Sequence, residues 1–261
     1  MPELSVIMGV FNTPKSYIDK AINSVLNQTF TDFEFIICND GCTDDTFNYI
    51  RHKYNDNRIV WLENESNRGL AYTLNNCLSY VCGKYVARMD TDDYSREKRF
   101  QVQIDYLRAH EDVGVANCNI YVFDDNGVYG ERKASEDISI KDFLFSNPII
   151  HPAVMISKKA LDRVGGYRDI DMTFRNEDYD MFLRMISKGI KMHTIQEVLF
   201  EFREDKDTIS RRKYKYRINE YLIKCDNFKK MGMLPKYYLY CLKPLVVGLL
   251  PSGILKLVRN K

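Results

Sequence analysis

Histidine is scarce in this chain, with four among 261 residues, and the seven cysteines stand apart at positions 38, 42, 77, 82, 118, 225 and 241. Cys38 and Cys42 have no second close pair, so the spacing of a structural zinc site is missing. An odd, irregular cysteine set does not make a disulfide framework and suits reduced thiols in a cytoplasmic compartment. No Gly-x-Gly-x-x-Gly opens a helix and no Gly-Lys-Ser/Thr loop occurs, so neither standard nucleotide-binding loop is available. The longest apolar run falls well short of the roughly 20 residues that span a bilayer. Met1-Pro2-Glu3 leads into strand-like sequence without a basic segment, so no export signal is expected. Internal repeats and low-complexity tracts are absent too.

The length sets an expectation of one domain, with or without an appendage. With 45% hydrophobic and 28% charged residues, the composition is that of a folded globular protein. A net charge of +2 conceals an asymmetry, because residues 211–261 hold 13 Lys or Arg against 2 acidic residues. Residues 1–210 hold the remaining 25 basic residues against 34 acidic ones. A basic tail on an acidic body points to an anionic partner for the tail. Its runs Tyr237-Tyr238-Leu239-Tyr240-Cys241-Leu242 and Pro244-Leu245-Val246-Val247-Gly248-Leu249-Leu250 precede Lys256, Arg259 and Lys261. Apolar and aromatic surface beside cations suits an anionic membrane face better than nucleic acid. The alternative is a C-terminal helix pair packed on the domain.

Along the chain, Leu4–Val10, Phe33–Cys38, Ile59–Leu62 and Lys84–Met89 read as strands. Helices are expected from Thr13 as N-cap to Asn27-Gln28, from Asp45 to Tyr54, and after Asn67-Arg68-Gly69 through Leu78. Such alternation with short connections predicts a single Rossmann-like, mostly parallel mixed sheet flanked by helices. Further on, a helix is expected over Glu97–His110, and strand material over Val113–Phe123, interrupted near Asn117-Cys118-Asn119. Residues 128–147 resist assignment and are the expected mobile cover of a site. Ser157 caps a short helix, Asp178–Ser187 forms another, and Met192–Ile195 and Val198–Phe202 read as two late strands.

Directly after the fourth strand stands Asp90-Thr91-Asp92-Asp93-Tyr94. Three carboxylates so close repel one another unless a cation or partner group sits among them. Mg²⁺ and Mn²⁺ take oxygen ligands of this kind and share them with substrate phosphates, and open α/β sheets bind ligands at the carboxyl ends of their strands. A metal-assisted enzyme acting on a phosphorylated or nucleotide-linked substrate is one reading; a solvated acidic turn ending a strand is the other.

Taken in order, Ser5-Val6-Ile7-Met8 with Phe11-Asn12, Ser24–Phe30, Phe33–Ile37, Asn39-Asp40-Gly41-Cys42-Thr43-Asp44, Asn67–Ala71, Ala87–Asp93, His151-Pro152, Gly165-Gly166-Tyr167 and Asn176–Asp180 form a pattern over residues 3–210. This pattern resembles the inverting family 2 glycosyltransferases with a glycosyltransferase-A type fold. The resemblance implies a catalytic domain over 1–210, with a nucleotide-sugar half at 1–95 and an acceptor half at 96–210, followed by a basic helical extension at 211–261. Phe11, Asn12, Asp40, Arg68, Asp90, Asp92 and His151 are carried over as nucleotide-sugar-binding positions. Asp40 matches the aspartate that hydrogen-bonds the base, usually uracil. Asn39 stands where a second aspartate is usual and Cys42 where serine is usual, so uracil is less firmly implied than the fold. Asp92 and Asp90 match the metal pair for Mn²⁺ or Mg²⁺, and His151 is expected at the donor phosphates or the metal. Asp178 is implied as the base, with Glu177 holding it or binding the acceptor.

The implied reaction moves a sugar from a nucleotide-diphosphate donor, expected to be a UDP-sugar, to a hydroxyl of a saccharide or polyprenyl-diphosphate-linked acceptor, with inversion. The family builds cell-surface polysaccharide, O-antigen or capsule, which sets an expectation of a cytoplasmic protein peripheral to the inner face of the cell membrane. Two rivals stand beside it. A nucleotidyltransferase acting on a sugar phosphate would carry a basic Gly-rich loop after the first strand, which Met8-Gly9-Val10-Phe11-Asn12 lacks. A non-catalytic nucleotide-sugar-binding module would not need both Asp92 and Asp178. The oligomeric state is left open.

Overall fold

A computed structural model describes residues 1–204 and 213–250. Four strands, β1 (Leu4–Val10), β2 (Phe33–Asn39), β3 (Ile59–Glu63) and β4 (Tyr85–Arg88), lie parallel in the order β3-β2-β1-β4. Helices α1 (Lys15–Leu26), α2 (Thr46–Lys53) and α3 (Leu70–Leu78) make the crossovers. The second half contributes β5 (Tyr94–Ser95), α4 (Arg99–Ala109), β6 (Val113–Asp124), β7 (Gly127–Arg132), β8 (Asp137–Ile138), β9 (Met155–Ser157), α5 (Lys158–Val164), α6 (Glu177–Ser187) and β10 (Lys191–Arg203). Two helices follow, α7 (Tyr214–Lys230) and α8 (Tyr238–Gly248). The ten-stranded sheet continues from β4 as β9-β6-β10-β5, with β7 on β6 and β8 on β10. Because β9 is antiparallel to both β4 and β6, strands β1–β4, β6 and β10 all point one way, and the sheet is mixed but mostly parallel.

Period-two alternation sends successive strand residues to opposite faces. Leu4, Val6, Met8 and Val10 of β1 enter one core with Ile18 and Ile22 of α1 and Phe100 and Ile104 of α4. Ile7, Ile36 and Val86 enter the other, with Leu74 of α3 and Phe182 of α6. Ile223 and Phe228 of α7 and Cys241 of α8 are buried in that second core. The extension over 213–250 therefore packs on the domain, as the alternative for the tail had it. The 210/211 boundary and Lys256, Arg259 and Lys261 lie outside the described residues.

Local expectations fail where distant partners decide. Strand β6 runs unbroken through Asn117 and Asn119, both buried. Asn119 accepts the Ala134 N–H at 3.2 Å, and Asn117 lies 3.4 Å from the Thr194 hydroxyl. The two late strands are one, β10, whose register against β6 slips between Ile195 and Val198. A bulge of this kind bends a strand without ending it. Thr13 does not cap α1: its hydroxyl pairs with that of Thr91 at 2.8 Å, and Pro14 stands at the cap position. Ser157 does cap α5, accepting the Ala160 N–H at 3.3 Å. Residues 128–147 hold β7, β8 and a 3₁₀ turn at Asp142–Leu144.

Candidate active site

The carboxyl ends of β1, β2 and β4 and the start of α6 meet at one edge of the sheet, where open α/β folds bind ligands. A cleft of about 470 Å³ opens there between Phe11, Asp40 and Arg68 on one side and Ile170, Phe174, Arg175 and Glu177 on the other. Asp40 is buried, and its carboxylate accepts the Arg68 N–H at 2.9 Å, the Gly69 N–H at 3.0 Å and the Asn64 amide at 3.0 Å. It thus fixes the Asn67–Gly69 turn that opens α3, a wider role than a turn residue bonding its own backbone. Gly41 has φ +71°, and a Cβ there would stand 2.5 Å from the Asn67 nitrogen, so only glycine lets these loops meet. Arg68 is exposed, makes no ion pair among the described residues, and stacks 4.4 Å from the Tyr72 ring centroid. The phenyl of Phe11 is 44% exposed at the cleft wall, a free face for an aromatic ring.

Asn12 is placed differently from the expectation. Its amide donates to the Thr43 hydroxyl at 2.8 Å and accepts the Thr43 N–H at 2.9 Å, which shapes the 42–44 loop and keeps the side chain off the cleft wall. The departures from the family pattern also find physical reasons. Asn39 accepts the Cys42 N–H at 2.8 Å, and the Cys42 thiol lies 3.4 Å from the Asn12 nitrogen and 3.5 Å from the Val10 carbonyl. A thiol there takes both positions that a serine hydroxyl would.

Asp90, Asp92 and Asp93 bring ligand oxygens within 4.8 Å of one another, the one such metal-capable group among the described residues. Their surroundings fit a cation. Asp93 is buried with Oδ2 unpartnered, while Oδ1 accepts the Arg203 N–H at 2.7 Å. Solvent reaches Asp92, yet the surrounding chain strips enough water that its carboxyl is pushed up to about 6, with the Asp90 charge the second cause. Three acidic groups held together at such cost are what a hard divalent ion relieves.

Arg88 was not singled out in the sequence, and it changes the part of Asp90. This buried guanidinium grips both Asp90 oxygens, Nη1 to Oδ2 at 2.7 Å and Nη2 to Oδ1. The bidentate pair offsets one of the three negative charges, and Asp92 is left as the most accessible carboxylate. His151 is not among the three grouped ligands. It is buried, with Nε2 2.7 Å from the Tyr167 hydroxyl, and burial followed by the Arg88 charge holds its pKa well below the ordinary value. A neutral ring braced by Tyr167 supports the floor beneath the acidic loop. The Gly165-Gly166-Tyr167 element of the family pattern is the sequence signal that points to that tyrosine.

Glu177 and Asp178 begin α6, whose first turn also holds Asp180. Asp178 is partly exposed and accepts the Asn147 amide at 2.9 Å, so the segment that resisted assignment supplies its partner. Asp180 is committed to structure, gripped by Arg168 and by Arg184 at 2.8 Å. Glu177 is buried at the cleft, and desolvation followed by the Asp178 charge pushes its carboxyl up to about 7 from 4.5. A carboxyl that takes its proton more readily folded than unfolded stabilises the fold at low pH and loses that contribution as pH rises from about 4.5 to about 7. Glu177→Gln is therefore expected to flatten the fall in stability over that window, by up to roughly 3 kcal/mol. Urea unfolding at pH 5 and pH 8 measures it, and equal slopes for both proteins would refute the burial account.

A family model described as Glycosyl transferase family 2 matches residues 5–186. The chain is 33% identical over 264 residues to the putative glycosyltransferase EpsE of Bacillus subtilis, covering 100% of this chain and 94% of that one. It is 29% identical over 243 residues to WfaP of Escherichia coli, a UDP-Glc:alpha-D-GlcNAc-diphosphoundecaprenol beta-1,3-glucosyltransferase, covering 93% and 92% of the two chains. In fold it is similar to S. aureus TarS 1–349 in complex with UDP-GlcNAc, with a TM-score of 0.72 at 16% identity, covering 95% of this chain and 71% of that one. The Rossmann-like sheet, the acidic loop at the end of β4 and the matched sequence agree: this chain is a glycosyltransferase and belongs to glycosyl transferase family 2.

Proposed function

We propose that the protein transfers a sugar, with inversion, from a UDP-sugar to a hydroxyl of a saccharide carried on a polyprenyl diphosphate. One observation carries the reading: Glu177 lines a cleft with Asp40 and Arg68, and the charges of Asp90, Glu177 and Asp178 all act on the buried Tyr167 beside Arg88, so the acidic loop and the start of α6 are neighbours. Asp40 lies where it can take the imide N–H of uracil, with Phe11 as a stacking face and Arg68 toward the phosphates. Asp92, with Asp93 and Asp90, would hold Mn²⁺ or Mg²⁺. A divalent cation bound there supplies positive charge to the departing diphosphate. Asp178, positioned by Asn147, takes the proton from the attacking hydroxyl, and a single displacement inverts the anomeric carbon. The acceptor named for the Escherichia coli relative, a GlcNAc-diphosphoundecaprenol, supports the lipid-linked class. Incubating the protein and Mn²⁺ with a panel of nucleotide sugars and a GlcNAc-diphosphate lipid tests the reading: UDP release coupled to an inverted product is expected.

A lipid-borne acceptor brings the enzyme to a membrane surface. No helix among the described residues is long and apolar enough to cross one. Leu239, Val246 and Leu249 are 79%, 59% and 74% exposed, near the cations Lys236 and Lys243. Deleting residues 237–261 would also strip the buried Cys241 and Pro244, so surface substitution is the cleaner test. Replacing Leu239, Val246 and Leu249 together by serine is expected to lower sedimentation with anionic liposomes by roughly tenfold or more, each side chain forfeiting part of the ~1.5–3 kcal/mol of full burial. Raising salt should weaken binding of the unaltered protein further. Unchanged sedimentation would leave α8 as a packing element alone.

A further inference from the structure

Between α5 and α6, the segment 168–176 forms the wall of the cleft facing Arg68. Arg175 in this wall has φ +66°, one of two non-glycine residues in the left-handed region among the described residues. For a residue with a Cβ this backbone is strained and persists only where surroundings impose it. Here α7 imposes it: the Asn219 amide donates to the Asp171 and Phe174 carbonyls, both at 3.1 Å, and the Asn176 amide donates to the Tyr216 carbonyl at 3.1 Å. The strained backbone brings an exposed guanidinium to the cleft, and Arg175 makes no ion pair among the described residues. Its guanidinium lies 5.8 Å from the Phe174 ring centroid, and its charge is felt by the Glu177 carboxyl.

Apolar surface leads away from that cation. Ile170 and Phe174 are 47% and 49% exposed, and the Phe174 ring lies 5.9 Å from that of Tyr216 in the first turn of α7. Tyr214, Ile218 and Leu222, each about 40% exposed and four residues apart, continue an outward stripe along α7. Two cations line the cleft, Arg68 on the α3 side and Arg175 on this wall, and Arg175 is the one beside the exposed apolar residues Ile170 and Phe174. A ligand matching this order has a neutral hydroxyl-bearing head inward, an anionic joint at the lip and an apolar chain outward.

We propose that Arg175 is the acceptor-reading residue: it holds the diphosphate of a prenyl-diphosphate-linked sugar whose chain leaves over Phe174 and Ile170 toward α7. The inference rests on the lipid-linked acceptor reading above and adds the residue that would recognise the joint between sugar and lipid. An arginine fork matches paired phosphate oxygens, and the preset backbone aims it without further ordering.

Calorimetry with saturating UDP and Mn²⁺, so that the donor's diphosphate site is filled, tests it with two probes: GlcNAc linked to a decyl chain through diphosphate, and the neutral decyl glycoside of GlcNAc. The unaltered protein should bind the diphosphate compound at least tenfold more tightly. Arg175→Asn tolerates the left-handed backbone and removes the charge, so affinity for the diphosphate compound should fall by about 10–100-fold and for the neutral glycoside by less than threefold. Arg175→Lys, which keeps the charge and loses the fork, should recover only part of the loss. Equal affinity of the unaltered protein for both probes, binding of neither, or equal losses in the asparagine variant would overturn the assignment. UDP affinity of the unaltered protein keeps the two readings apart: absent UDP binding defeats the UDP-sugar donor reading, while normal UDP binding without probe discrimination defeats the role of Arg175.

Discussion

Asp178→Asn is expected to lower sugar transfer by about 10²–10⁴-fold, the usual worth of a positioned base. In free energy that is roughly 3–5 kcal/mol lost from the transition state. The substitution is nearly isosteric, and the new amide oxygen can still accept from Asn147, so fold and loop should be kept. UDP and metal affinity should change little, because in the proposed reading this carboxylate, on the first turn of α6, serves the acceptor hydroxyl. Steady-state transfer and equilibrium UDP binding, measured side by side, check both halves of the expectation. Transfer at the normal rate, or a product that retains the donor's anomeric configuration, would remove Asp178 from the role of base. Should transfer and UDP affinity fall by the same factor, Asp178 is a binding residue, and Glu177, which lines the cleft, becomes the next candidate.

Asp92→Ala should abolish Mn²⁺ binding and reduce transfer by about 10²-fold or more, since charge on the leaving diphosphate would then go uncompensated. The same change should leave the metal-free protein as stable as before, or more stable. Asp92 is a carboxylate whose ionisation is disfavoured in place, at about 6, by desolvation and by Asp90, so deleting it relieves repulsion. Loss of metal binding together with an unchanged or raised Tm is a signature that a merely structural aspartate would not give. Mn²⁺ titration followed by electron paramagnetic resonance, with thermal unfolding in EDTA, reads both. Full transfer in EDTA by the unaltered protein would end the metal assignment.

The elements legible in the sequence were those whose cause is local. Alternating apolar residues in β1, β2 and β4, the cap at Ser157 and the glycine after α5 are decided within a few residues, so the parallel half of the sheet could be read directly. The acidic loop was legible for a similar reason: three carboxylates in four positions constrain one another without help from the rest of the chain.

What escaped were residues whose meaning lies with partners far along the chain. Asn117 and Asn119 look like a strand break until Thr194 and the Ala134 N–H are placed beside them. Two late strands become one because β6 supplies a continuous edge that carries β10 across a bulge. Asp90 reads as one of a metal pair in which Asp92 is the direct ligand, and the sequence does not show that the fold turns the buried Arg88 guanidinium onto Asp90. His151 reads as a ligand, and the sequence does not show that its Nε2 meets the hydroxyl of Tyr167, sixteen residues on. Composition and short-range pattern thus determined the sheet, its order of elements and the acidic centre of the site. Which carboxylate stays open, which histidine is neutral and which arginine faces the cleft were decided by tertiary contacts, because desolvation and charge pairing depend on neighbours in space.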